Sequence, residues 1–122
     1  MTAPLHRFLF LIAGSPWQPR AQATLDLLMT AAVLDQPVTL CFTGAGVLHL
    51  QAGQDGSALG LKTLSQQYPA LELYGIEQVY AQASALQDWG LLAAGTNIPV
   101  QAVSETDIAR MIRDADVVHR CH

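Results

Sequence analysis

The chain has 122 residues, enough for one domain with its own apolar core and too few for a second. Its formal net charge is −4 and its six basic residues are scattered, which disfavours direct nucleic-acid binding because that requires clustered cations. Charged residues make up only 13 % of the chain, so we expect other subunits to cover part of its surface; the alternative is an uncharged, glutamine-rich exterior.

The first half of the chain alternates apolar strands with an amphipathic helix. The continuous apolar run from Arg7 to Gly14 predicts a parallel strand that is buried on both faces. The apolar part of this run is too short for a signal segment or a membrane span, so we expect a cytoplasmic protein that does not enter a membrane. The loop from Ser15 to Pro19 then starts a helix, which Pro37 closes off, and Val38 to Phe42 predicts the second strand.

The second half repeats this alternation. Ser84 is followed three residues later by Gln87, a capping-box pattern that predicts a helix from Ser84 to Gly90. The other predicted elements are a loop over 53–57, a helix over 61–68, strands over 76–81, 100–103 and 116–119, and a helix capped by Ser104 with Asp107. Five strands with crossover helices predict one domain over 1–122, an α/β doubly wound parallel five-stranded sheet with helices on both faces.

In such a sheet Gln82 and Ala83 lie at the carboxyl end of the third strand, at the edge where α/β folds place their chemistry. Neither side chain can act as a nucleophile, a general base or a metal ligand. Gly44 and Gly46 follow the second strand, but His49 stands where a dinucleotide fingerprint requires its third glycine. The sequence therefore predicts no cofactor, and a nucleotide-binding regulator remains an alternative.

The two cysteines and one histidine are the remaining candidates for chemistry. Cys41 lies in an apolar strand, where burial keeps a thiol unreactive. Cys121 has Arg120 beside it and is a weak candidate for carrying sulfur, but we expect a penultimate residue on a fraying end to be inert. The spacing of these cysteines predicts neither a disulfide framework nor a metal site. His49, beside the glycine turn, is the better candidate for a functional imidazole, although such a histidine often only satisfies backbone groups.

Three segments resemble the DsrF and TusC group of the DsrE-like sulfur-relay superfamily. Residues 42–54, Phe-Thr-Gly-Ala-Gly-Val-Leu-His-Leu-Gln-Ala-Gly-Gln, resemble its strand, turn and helix. Residues 73–78, Leu-Tyr-Gly-Ile-Glu-Gln, with Ser84-Ala85-Leu86 and Gly90-Leu91 after them, are similar to its Leu-Tyr-Asp-Ile-Glu run and the following helix. Asp116-Val117-Val118 suits its last strand, so the resemblance covers almost the whole chain.

The resemblance implies a subunit of a cytoplasmic hetero-oligomer, usually a heterohexamer with DsrE/TusD-like and DsrH/TusB-like subunits. Such a complex passes sulfur as a cysteine persulfide to a DsrC/TusE-like acceptor, in tRNA 2-thiouridine synthesis or in dissimilatory sulfur oxidation. In the DsrE/TusD subunit the sulfur-carrying cysteine follows the strand matched here by Val79 to Ala81, and this chain has Gln82 there. An amide cannot be persulfidated, so the resemblance implies a subunit that is not the sulfur donor.

We therefore predict a packing partner that orders a neighbouring active site and has no catalytic residue of its own. Its interface candidates are Trp17, Tyr74, Trp89 and His49, because aromatic side chains dominate protein interfaces; ordinary core positions are the alternative. The competing hypothesis is an autonomous sulfurtransferase that uses Cys121 or Cys41.

Overall fold

The computed structural model describes residues 6–15, 19–34, 36–51, 72–73, 75–76, 78–96 and 98–121. The predicted loop over 53–57 and helix over 61–68, together with Trp17 and Tyr74, lie outside these ranges. The described elements are, in chain order, β1 (Phe8–Ile12), α1 (Pro19–Val33), β2 (Val38–Phe42), a 3-10 helix (Gly44–Leu50), β3 (Gln78–Gln82), α2 (Ala83–Asp88), α3 (Leu91–Ala94), β4 (Gln101–Val103), α4 (Glu105–Asp114) and β5 (Val117–Cys121).

The five strands form one parallel sheet in the order β4-β3-β2-β1-β5. The predicted α/β class and parallel five-stranded sheet are therefore confirmed. The apolar run at the start of the chain becomes β1, which pairs with β2 on one side and β5 on the other and buries four of its five residues. This strand has paired neighbours on both sides and helices over both faces, so both of its faces lie in an apolar environment. This explains why apolar and polar residues do not alternate along it.

Helices cover both faces of the sheet, as predicted. One face packs Phe10, Leu40 and Phe42 against Leu28 of α1 and Val47 of the 3-10 helix. The opposite face packs a smaller cluster against α4, and its buried members are Leu9, Leu11, Cys41, Val103 and Ile108. Because successive strand residues point to opposite faces, β1 supplies alternate side chains to both clusters. No helix within the described ranges is both long and apolar enough to cross a membrane.

The start of α4 follows the sequence pattern. The Ser104 hydroxyl accepts a hydrogen bond from the Asp107 N–H at 3.2 Å, and the Asp107 carboxylate accepts one from the Ser104 N–H at 3.1 Å. The hydrogen bond from the Ser104 N–H is the main cause that lowers the pKa of the exposed Asp107 carboxyl, and a hydrogen bond with the Ser104 side chain adds to it. This reciprocal pair is the predicted capping box. It fixes the first residue of α4, Glu105, directly behind the end of β4.

The predicted capping box at Ser84 is wrong. Helix α2 begins one residue earlier, at Ala83, with Gln82 as its N-cap and no side-chain cap bond. The Ser84 hydroxyl instead donates a hydrogen bond to the Glu105 carboxylate at 3.4 Å. A partner 21 residues away along the chain has replaced the local one, because the fold brings the starts of α2 and α4 together.

The end of the chain also differs from the prediction. The last strand runs from Val117 to Cys121, two residues beyond the predicted end, and pairs with β1 along its whole length. The Cys121 carbonyl accepts hydrogen bonds from the Ala13 N–H at 2.8 Å and the Gly14 N–H at 3.1 Å. Cys121 is therefore part of the sheet rather than a fraying end.

Candidate functional site

The carboxyl ends of β2, β3 and β4 lie side by side at one edge of the sheet. Phe42 of β2 pairs with Ala81 of β3, and Gln82 pairs with Val103 of β4. The segments that leave these strands begin at Gly44, Ala83 and Glu105, so all three start within the same small region. In open parallel sheets this edge is where ligands and catalytic groups are placed.

The half-buried side chain of Gln82 joins all three segments. Its Oε1 accepts a hydrogen bond from the Gly44 N–H at 3.1 Å, and its Nε2 donates one to Glu105 Oε1 at 3.3 Å. A backbone N–H can only donate and a carboxylate can only accept, and the amide, with an acceptor oxygen and a donor nitrogen, satisfies both at once. Gln82 thus connects the 3-10 helix after β2 to the helix after β4.

Glu105 is the acceptor for two side chains at this edge. Its Oε1 accepts a hydrogen bond from Ser84 as well as from Gln82. As the first residue of α4, its carboxylate also lies beside the positive end of that helix dipole, which favours a negative charge there. We call Gly44, Gln82, Ser84 and Glu105 the edge network.

The edge network links the segments that follow β2, β3 and β4, and it offers no reactive thiol. The Gln82 amide cannot carry sulfur or remove a proton. Over the residues that the structure describes, no three His, Cys, Asp or Glu side chains lie close enough together to hold a metal ion. The arrangement therefore positions backbone segments at the edge where related folds carry out chemistry.

The two cysteines lie in the core and not in the edge network. Cys41 is fully buried, and burial raises the pKa of its thiol to about 11. Cys121 is 8 % exposed; burial raises the pKa of its thiol too, and a hydrogen bond with the Thr24 side chain opposes that rise. Both thiols stay protonated near neutral pH, whereas sulfur transfer requires a thiolate.

His49 is a buried structural residue of the 3-10 helix. It is 3 % exposed, its Nε2 lies 3.1 Å from the Gly14 carbonyl oxygen, and its ring lies 5.9 Å from the Phe42 ring. A carbonyl can only accept, so Nε2 carries a hydrogen and is the donor. Burial lowers the pKa of His49, partly offset by the Gly14 bond. This burial leaves His49 no surface for a partner, which argues against the interface contact suggested by the sequence.

Trp89 has the exposure that an interface contact needs. It follows α2 and is 51 % exposed, and Leu92 of α3 is 57 % exposed. The two exposed apolar residues lie three positions apart in the sequence, on either side of Gly90. Single exposed apolar residues are common, but tryptophan is among the residues that most often dominate the binding energy of an interface.

A cleft of about 360 Å³ lies at the opposite edge of the sheet, away from the edge network. Its lining combines the amino ends of three strands with the end of α4, and consists of Arg7, Phe8, Leu9, Pro37, Thr39, Gln78, Met111, Asp114 and Ala115. Thr39 donates a hydrogen bond to the Gln78 side chain at 3.1 Å within this lining.

Sequence reasoning found Gln82 and missed Glu105, and it singled out Ser84 and Gly44 for other roles, a helix cap and a glycine turn. A signal for Glu105 was present, because the Ser104–Asp107 capping box places the next helix start immediately behind a strand. Its contact with Gln82 also requires β4 to lie next to β3, and no local pattern specifies strand order.

Comparison with known proteins agrees with this fold. Residues 6–119 match the sequence model of the DsrE/DsrF-like family. The chain is 27 % identical over 111 residues to a protein TusC homolog of Pseudomonas aeruginosa, covering 90 % of this chain and 93 % of that protein. It is 29 % identical over 92 residues to the intracellular sulfur oxidation protein DsrF of Allochromatium vinosum, covering 75 % of this chain and 68 % of that protein.

Among solved structures, the YchN protein from Escherichia coli has the same fold. The two superpose with a TM-score of 0.79 over 95 % of this chain and 99 % of that chain. Their sequences are 15 % identical, so the likeness concerns the fold alone.

Proposed function

This chain belongs to the DsrE/DsrF-like family, and from that premise we propose that it is a subunit of a sulfur-relay complex that does not itself carry the sulfur. The names of its relatives support the general role, since one is a TusC homolog and another an intracellular sulfur oxidation protein. The complex would hand persulfide sulfur to a small acceptor protein, in tRNA thiolation or in sulfur oxidation.

The main support for the non-donor role is the hydrogen bonding of the Gln82 side chain. Its amide stands where we match the sulfur-carrying cysteine of the DsrE/TusD-like subunit, and both its oxygen and its nitrogen are engaged in the edge network. The alternative thiols, Cys41 and Cys121, are buried and have raised pKa values. Sulfur transfer by this chain alone would need one of them to leave the core.

We propose that the partners are DsrE/TusD-like and DsrH/TusB-like subunits, with a DsrC/TusE-like protein as acceptor. The exposed pair of Trp89 and Leu92 supplies the apolar anchor of one contact. The low share of charged residues supports additional covered surface. In this arrangement the edge network keeps the segments after three strands in fixed positions for a neighbouring subunit.

The test has two parts. The chain is co-expressed with the two partner subunits and analysed by native mass spectrometry, and we expect one stable hetero-oligomer. The complex is then incubated with inorganic polysulfide, and intact-mass analysis is expected to find added sulfur on the DsrE/TusD-like subunit and none on this chain. A stable monomer that does not bind the partner subunits, or sulfur retained on Cys41 or Cys121, would refute the proposal and favour an autonomous sulfurtransferase.

A further inference from the structure

The edge network carries a negative charge as well as lacking a thiol. Glu105 Oε1 lies 3.3 Å from Gln82 Nε2 and 3.4 Å from Ser84 Oγ, so two donors hold the carboxylate against the side chain at position 82. No described basic side chain forms an ion pair with Glu105. Arg110, on the same helix, pairs with Asp107 instead, with its Nη1 3.9 Å from Asp107 Oδ1. The charge at this position is therefore fixed by neutral donors.

We propose that Glu105 is a second determinant, besides Gln82 itself, that keeps this site from carrying sulfur. The inference rests on the proposed function, and it concerns why this site disfavours a thiolate or a persulfide anion. A thiol takes up sulfur as its thiolate, and the resulting persulfide is also an anion. A like charge within about 4–6 Å disfavours the ionised form of a group. A cysteine at position 82 would place its sulfur where Gln82 Cγ now lies, two bonds before the amide nitrogen. That position is within about 6 Å of the Glu105 carboxylate.

The backbone at this edge reinforces the same conclusion. The Gly44 N–H donates to Gln82 Oε1 at 3.1 Å, so a donor that could stabilise an anion is occupied by a neutral oxygen. The amide then directs its own N–H towards Glu105. Gln82 and Glu105 thus act together. Gln82 occupies the Gly44 N–H, and Glu105 supplies the charge that repels an anion. Replacing Gln82 alone by cysteine would leave that charge in place.

The test compares the thiol pKa in Gln82→Cys with that in the double variant Gln82→Cys/Glu105→Gln. The rate of iodoacetamide alkylation is followed against pH, and peptide mass spectrometry assigns it to residue 82 and not to Cys41 or Cys121. Removing the carboxylate is expected to lower the pKa of the introduced thiol by about one unit, which is a tenfold larger thiolate fraction below that pKa.

The matched control is Gln82→Cys/Asp114→Asn. It removes the same charge from the other end of α4, about 14 Å away along the helix axis, beyond the Debye length of about 10 Å in 0.1 M salt. We expect this control to leave the pKa of the introduced thiol at its value in Gln82→Cys. An equal pKa in the single variant and the Glu105→Gln double variant, or an equal shift in the control, overturns the inference.

A second pair of variants decides the matter if Gln82→Cys does not fold. Ser84→Cys is nearly isosteric, keeps Gln82, and puts a sulfur where Oγ now lies 3.4 Å from Glu105 Oε1. Its thiol pKa should fall in the same way when Glu105→Gln is added, and no fall refutes the inference. These outcomes are separate from those of the proposed function, which are measured on the unsubstituted chain with its partners.

Discussion

His49 connects the 3-10 helix to the segment that follows β1, at the carboxyl edge of the sheet. The Cys121 carbonyl accepts from the Gly14 N–H, and the Gly14 carbonyl in turn accepts from His49 Nε2 at 3.1 Å. A protonated imidazole would also donate to this carbonyl, but the charge would be buried, since the residue is only 3 % exposed. The fold therefore holds His49 in its neutral form.

This preference makes stability depend on pH. Burial lowers the pKa of His49 in the folded state below its ordinary value of 6.5. Below pH 6.5 the unfolded chain binds a proton that the folded chain does not. The His49 contribution to stability is therefore fully present above pH 6.5 and is lost as pH falls towards the folded-state pKa. The loss is at most about 1.4 kcal/mol per pH unit for one proton.

The measurement is urea unfolding at pH 7.5 and pH 5.5, compared with the variant His49→Gln. A glutamine amide can donate to the Gly14 carbonyl but does not titrate in this range. We expect the unsubstituted chain to lose more stability on acidification than the variant. An equal loss in the two proteins would show that His49 does not contribute to the acid sensitivity.

Two serines show what a local pattern can and cannot predict about an element. Ser104 and Ser84 each precede an acceptor side chain by three residues, and both patterns predict a capping box. The prediction is confirmed at Ser104 and wrong at Ser84. Ser84 differs because Glu105 lies within reach of its hydroxyl, a contact that depends on strand order. Local chemistry fixes a helix end only where the fold offers no stronger partner.

The docking of the 3-10 helix depends on a glycine for a different reason. A Cβ on Gly46 would lie 1.7 Å from the Ile12 carbonyl oxygen, and that oxygen accepts a hydrogen bond from the Thr43 N–H at 3.0 Å. Gly46→Ala must therefore move the helix away from β1. We expect a loss of at least about 2 kcal/mol in the free energy of unfolding, measured by urea denaturation.

Gly44→Ala is the matched control within the same 3-10 helix. A Cβ there meets no atom within 4 Å, and the cost is limited to the positive φ of 51°. That conformation costs an alanine about 1–2 kcal/mol. If Gly46→Ala were no more destabilising than Gly44→Ala, the close approach would not be what requires glycine.

At the scale of the whole molecule, periodicity predicted the class of fold and the faces that are covered. The apolar run at β1 predicted a strand that is buried on both faces, and this is confirmed, since β1 contributes to the clusters on both sides of the sheet. Strand order is a property of the assembled sheet, and the edge network follows from it, since Gln82 meets Glu105 only because β3 and β4 are neighbours. The chemistry at position 82 was visible in the sequence, whereas its partners were not.

The same limit applies to surfaces, because the sequence identified Trp89 as aromatic and the structure shows that it is exposed. If Trp89 anchors a partner subunit, Trp89→Ala should weaken the hetero-oligomer with little effect on the stability of the chain, since the side chain is already 51 % exposed. A tryptophan at the centre of an interface typically contributes about 2 kcal/mol or more, so the dissociation constant should rise roughly thirtyfold.

The matched control is Leu34→Ala, which removes another exposed apolar side chain, 65 % exposed, next to the end of α1. Helix α1 leads back to the start of β2, so Leu34 lies at the opposite edge of the sheet from the edge network. Titration calorimetry with the partner subunits should find the control unchanged. If both variants weakened the hetero-oligomer equally, any loss of exposed apolar area would disturb assembly. If Trp89→Ala did not weaken it, Trp89 would not be part of the interface.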